Sequence, residues 1–195
     1  MLGRILCATL VMQPLLVSLP ANAKHEAGGA AVVEEEINGK TFSVAKTTIK
    51  ASPAAVWQVL TDYGNASRVF PQVRRSQVVE DRGSSKLLKH KVAPSGLPGT
   101  YEYVVEVKEC PLKSLEWHRK SGSFKEVDGF WKLESIDGGH STLVTYSAHV
   151  EGGLFMPQGL VRHQFTVDMP QVMSALKSQA ENVTQIAGRP VSRDQ

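Results

Sequence analysis

The chain has 195 residues, 42% of them hydrophobic and 21% charged, an ordinary make-up for a soluble globular protein and a length that fits one domain. Its 22 basic residues stand against 19 acidic ones, a net charge of +3, and no run of Lys and Arg is longer than Arg74-Arg75. A nucleic-acid surface would need a basic stripe with interleaved aromatics, so no nucleic-acid partner is expected.

The N-terminus does not read as part of the fold. Arg4 supplies a positive charge, residues 5–19 are uncharged and mostly apolar, and Pro20 precedes the small-x-small pattern Ala21-Asn22-Ala23. This is the layout of a secretory signal peptide, residues 1–23, which predicts export to the periplasm or the outside of the cell. The apolar run is short of the roughly 20 residues that span a bilayer. Retention as an anchor is the alternative to cleavage. Cys7 would leave with the signal, and Cys110 would remain as a single structural thiol. No histidine adjoins Cys110 to make it a nucleophile.

Residues 24–39 read as a leader with a possible extra strand. Ala30–Ile37 and Lys40–Ala51 look extended, and Asn38-Gly39 between them suits a two-residue hairpin turn. Phe42, Val44, Thr48 and Ala51 do not keep one parity, which predicts a bulge or a change of face. Ser52 is a good N-cap and Pro53 a good first helical residue. Val56, Val59, Leu60 and Tyr63 then form one apolar helical face, and Gly64 is the expected stop. Asn65 is placed to cap a second short helix that Pro71 ends.

Six strand-like runs follow: residues 73–81, 85–93, 100–109, 115–124, 126–136 and 140–150. Turn residues separate them, at Arg82-Gly83, Ser95–Gly99, Cys110-Pro111 and Asp137–Gly139. Short turns between successive strands predict an antiparallel meander. From Pro157 to about Gln185 the pattern is helical. Val161, Phe165, Met169, Val172, Leu176, Ala180 and Val183 make one stripe, and Pro170 within it predicts a nearby bend. Residues 187–195 read as a frayed tail. The expected fold is α+β: a curved antiparallel sheet of about seven strands wrapped on a long C-terminal helix. The two short helices after the first strand close one end of the groove between them.

Specific motifs sharpen this. Ser52-Pro53, Val56-Trp57, Leu60–Tyr63 and Phe70-Pro71 resemble the opening signature of the START-like (SRPBCC, helix-grip) superfamily, which includes polyketide cyclase/dehydrase and lipid-transfer proteins. The nearest branch is the coenzyme Q-binding START-domain family. Residues 122–146 resemble that branch's G-x-F, G-x-W-x-L and G-G-x-T-x-L-x-Y patterns, and Leu176-Lys177 and Ala180-Glu181 on the long helix also fit. The resemblance covers roughly residues 40–185, with the START-like domain placed at 40–186. It implies a ligand pocket between sheet and helix; one fold carries many functions, so the ligand does not follow from it.

Catalytic patterns are not evident. The histidines after residue 23 (His25, His90, His118, His140, His149 and His163) make no zinc-type spacing, and no metal or cofactor is expected. No G-x-S-x-G elbow or P-loop occurs. Asp62, at a helix end, reads as structural. His140 reads as exposed in its Gly-Gly turn, and His163 as a surface residue or a pocket edge.

The strands instead offer aromatic faces. Tyr101, Tyr103, Val105 and Val107 share parity, as do Leu115, Trp117 and Arg119, then Gly129, Trp131 and Leu133, then Val144, Tyr146, Ala148 and Val150. Periodicity alone leaves a packed core and a lined pocket equally open; the resemblance favours the pocket. The expected wall is Tyr101, Tyr103, Trp117, Arg119, Trp131, Tyr146, Phe155, Val161 and Phe165. The loop 152–160 is apolar. It reads either as a pocket mouth with membrane-surface contact or as a connector packing Phe155.

The function expected is non-enzymatic binding of an apolar small molecule (a lipid, isoprenoid or quinone) by an exported monomer. A polyketide cyclase/dehydrase-like enzyme using the same pocket is the alternative. Some relatives in the resembling family are ribosome-associated, and a signal peptide would keep this chain from ribosomes.

Overall fold

The computed structural model describes residues 30–153 and 157–187. The predicted signal peptide, the leader residues 24–29, Phe155 and the tail from 188 lie outside them.

The hairpin expected at Asn38-Gly39 forms. Strands β1 (Val32–Ile37) and β2 (Lys40–Ile49) pair in continuous antiparallel register, from Val32 against Ala45 to Ile37 against Lys40. Asn38 and Gly39 both take positive φ, 51° and 74°, as a type I′ turn requires. The possible extra strand is therefore a real one, and the sheet has eight strands in the order β1-β2-β8-β7-β6-β5-β4-β3. No bulge occurs in β2, which pairs without a shift on both sides. Its mixed parity has another cause: Ser43 and Ala45 are buried on one face of the strand, and Phe42 and Val44 on the other.

After β2 the chain makes its two short helices. In α1 (Pro53–Thr61) the Ser52 hydroxyl accepts from the Ala55 N–H at 3.3 Å, and Val56, Val59 and Leu60 are buried. The helix stops before Gly64, because Asp62 leaves helical φ/ψ. A 3-10 turn, Tyr63–Asn65, leads directly into α2 (Ala66–Val69). Asn65 makes no cap bond there; its side-chain amide donates back to both Asp62 oxygens at 3.0 Å. The Tyr63 hydroxyl donates to Glu109 at 2.7 Å, which ties the short helices to the end of a later strand.

The meander runs β3 (Val73–Asp81), β4 (Ser85–Val92), β5 (Tyr101–Cys110), β6 (Ser114–Gly122), β7 (Glu126–Ile136) and β8 (Ser141–Glu151), with β8 returning beside β2. Register shifts fall in the β3–β4 pairing and at Val104/Val105 in the β5–β6 pairing. Cys110, read from sequence as a thiol, is disulfide-bonded.

Helix α3 (Gln158–Ala187) lies across the sheet with Pro170 inside it. Val161, Met169, Met173, Leu176 and Ala180 are all 5% exposed or less. Two polar side chains clasp α3 to the end of β2: Lys177 Nζ donates to the Thr48 carbonyl at 3.1 Å, and Glu181 accepts from the Lys50 N–H at 2.9 Å. The core thus sits between the concave sheet and α3, with α1 and α2 across one end.

Candidate functional site: a cavity between sheet and helix

The core is not solid. A cavity of about 260 Å³ lies under α3, walled by β4 to β8 and closed at one end by Leu60, Tyr63, Ala66 and Phe70 of the short helices. The strand parities read from sequence explain the wall, since alternate residues of each strand face α3. Tyr103, Trp117, Trp131 and Tyr146 line the cavity from the sheet, and Val161 and Phe165 from the helix.

Two other residues of the expected wall sit elsewhere. Tyr101 packs behind Phe124, with ring centroids 5.4 Å apart, and its hydroxyl donates to the Pro98 carbonyl at 3.0 Å. Arg119 lies near the end of β6, and its guanidinium donates to the Gly122 carbonyl at 3.0 Å. Tyr101 is the first residue of β5, short of the cavity; Arg119 stands opposite Val105, which does line the cavity, but its guanidinium turns to Gly122. The bulge at Val104/Val105 and Gly122, at φ 122°, turn the sheet there. His163 and His140 are exposed.

The aromatic wall is ordered by mutual packing. Trp131 stacks on Tyr146 at 4.1 Å and 12°, and Trp117 lies 6.0 Å from the same ring. Gly129 makes this possible: a Cβ there would overlap the Trp117 ring and the Ser147 carbonyl oxygen. Tyr103 meets Phe124 edge-on at 5.6 Å and His90 at 5.5 Å.

His90, Gln72, Gln164 and Asp168 all line the cavity. Only His90 carried a signal in the sequence, because it shares parity with the core residues Leu88 and Val92. Asp168 accepts from Gln72 Nε2 at 3.1 Å and from the Ser95 N–H at 3.3 Å. Gln72 Nε2 also lies 3.2 Å from the Gln171 side-chain oxygen. Among the described residues six buried polar side-chain atoms have no partner, and three of them belong to this group: Gln72 Oε1, Gln164 Nε2 and His90 Nδ1.

Burial governs their charge. Burial pulls the His90 imidazole down to about 4 and pushes the Tyr103 phenol up to about 12. It also raises Tyr146, with Tyr103 and Asp168 adding to the effect. All three rings are therefore neutral near pH 7. They present hydrogen-bond donors and acceptors, not charges. Among the described residues, no three His, Cys, Asp or Glu side chains converge as metal ligands would.

The comparisons with known proteins agree with this architecture. The model of the polyketide cyclase/dehydrase and lipid transport family matches residues 49–177, and the chain belongs to that family. An aromatase/cyclase from a Streptomyces species superposes with a TM-score of 0.68 at 14% identity, over 76% of this chain and 98% of its own. A STAR-related lipid transfer protein from Xanthomonas axonopodis gives 0.66 at 19% identity, over 81% of this chain and 96% of its own. A START superfamily protein from Mycobacterium smegmatis gives 0.63 at 16% identity, over 73% and 98%. At these identities the likeness is one of fold. No curated protein matches the chain.

Proposed function

We propose that this protein is a non-enzymatic carrier that holds an apolar small molecule in the cavity between the sheet and α3. The observation that carries this reading is the character of the wall: aromatic and aliphatic side chains with a few polar tips, the usual make-up of a small-molecule site. Burying about 400 Å² of apolar ligand surface would contribute on the order of 10 kcal/mol before association costs, enough for micromolar binding without an ionic clamp.

The ligand class we favour is a lipid, an isoprenoid or a quinone. The motif resemblance to the coenzyme Q-binding branch supports the last of these. We further propose that residues 1–23 direct export and that the carrier acts as a monomer. In this reading the apolar segment 152–160 touches the membrane surface during loading.

The family also includes cyclases, and the charge states above favour the carrier. A general acid or base works best with a pKa near the operating pH. His90 at about 4 and Tyr103 at about 12 both lie far from it.

Nile red, a neutral apolar dye, tests the proposal. The dye should brighten on binding and be displaced by decyl-benzoquinone or a short isoprenoid alcohol at micromolar concentration. Failure of the dye and of both competitors to bind would remove the carrier reading.

A further inference from the structure

The chain holds four tyrosines, and the partners of their hydroxyls divide them into two pairs. Tyr63 donates to Glu109, and Tyr101 to the Pro98 carbonyl. Tyr103 of β5 and Tyr146 of β8 both line the cavity, and among the described residues neither hydroxyl has a hydrogen-bond partner. A tyrosine hydroxyl inside a protein ordinarily finds one.

Both hydroxyls are deep and yet open. Burial raises both phenols, and Tyr103 and Asp168 add to the rise at Tyr146, so the two groups lie inside the protein and within each other's field. Both side chains are nonetheless only half-buried, and neither oxygen is among the atoms sealed in the packing without a partner. The surface kept by a group at that depth is the surface of the cavity it lines. Ring contacts hold the two in place: Tyr146 stacks on Trp131 at 4.1 Å, and Tyr103 meets Phe124 at 5.6 Å. The same wall is rich in donors. Among the described residues the indole N–H groups of Trp117 and Trp131 have no acceptor either, and an indole only donates. A group that completes this wall must accept.

We infer that the hydroxyls of Tyr103 and Tyr146 are the polar anchors of the ligand, and that the ligand offers them a neutral acceptor, a carbonyl oxygen. The inference rests on the carrier reading and names the ligand's polar group. A carbonyl oxygen takes a bond from either phenol and brings no donor of its own to satisfy. An alcohol also accepts, but its hydroxyl hydrogen needs an acceptor in turn. A plain hydrocarbon leaves both phenols unpaired.

Headspace gas chromatography of the full-length protein with 2-octanone, 2-octanol and octane tests this, each ligand being measured by its loss from the vapour. The ketone should bind tighter than its alcohol by about threefold. The double variant Tyr103→Phe/Tyr146→Phe should weaken 2-octanone by about tenfold and leave octane within about twofold, while Tyr101→Phe changes neither. Since the two hydroxyls bond nothing in the protein, the double variant should also keep its urea midpoint. The infrared carbonyl stretch of bound 2-octanone should lie below its position in hexane, a readout that needs no variant. An unshifted stretch, 2-octanol binding tighter than 2-octanone, or a double variant that weakens ketone and octane alike would each overturn the inference. If none of the three compounds binds, the carrier reading itself falls, and this inference with it.

Discussion

His90 illustrates how one buried side chain couples the cavity to stability. The imidazole is held at about 4 in the folded protein by burial alone, against 6.5 for an unperturbed one. Between those values the unfolded chain binds a proton that the folded chain refuses. Stability from this residue is therefore full above pH 6.5 and falls as pH drops toward 4, by up to ~3 kcal/mol. The His90→Gln variant, neutral throughout, should lose far less stability than the unmodified protein when urea midpoints at pH 7 and pH 4.5 are compared. Equal losses in the two proteins would show that His90 is not the buried neutral group described. At this scale legibility in the sequence was uneven. The wall aromatics Tyr103, Trp117, Trp131 and Tyr146 follow from strand alternation. The Gln72–Asp168 bond spans 96 positions in the chain, and no local pattern encodes it. Gln164 and Asp168 are polar positions interleaved with the apolar stripe of α3, where sequence alone reads them as solvent-facing.

Among the elements, α3 does most to define the site. Its lower half packs tightly through Met173, Leu176 and Ala180, while its upper half, from Val161 to Val172, roofs the cavity. Leu176, fully buried, should be among the most sensitive positions of the helix: Leu176→Ala is expected to cost about 2–5 kcal/mol by chemical denaturation. Phe165→Ala faces space already open and should cost less than a typical buried Phe truncation of about 3–5 kcal/mol. If Leu176→Ala were the milder of the two, the division of α3 into a packed half and a roofing half would be wrong. The helix was readable as an element because its stripe holds over more than six turns. The small elements were read less well at their ends. Gly64 is a reasonable stop on composition, yet α1 ends at Thr61 because Asp62 breaks the helical φ/ψ and binds Asn65. A side-chain contact of that kind overrides the residue preferences that place stops and caps.

For the molecule as a whole, the arrangement of elements explains the cavity. A sheet of eight strands curves around one helix, and a single helix cannot fill the concave face it spans. The short helices close one end, anchored by Tyr63 on Glu109. The order of elements and the family resemblance both implied this architecture from the sequence. Periodicity could not decide between a packed core and an open one, because alternation tells which residues face inward and not how much space they leave. The most direct test of the central claim, that this space holds an apolar ligand, is native mass spectrometry of the protein purified from its own host, followed by organic extraction. The expected result is a bound mass that is released by solvent and identified as a neutral apolar molecule. A protein that is empty by this measurement, and that also binds no member of a panel of apolar probes, would contradict it.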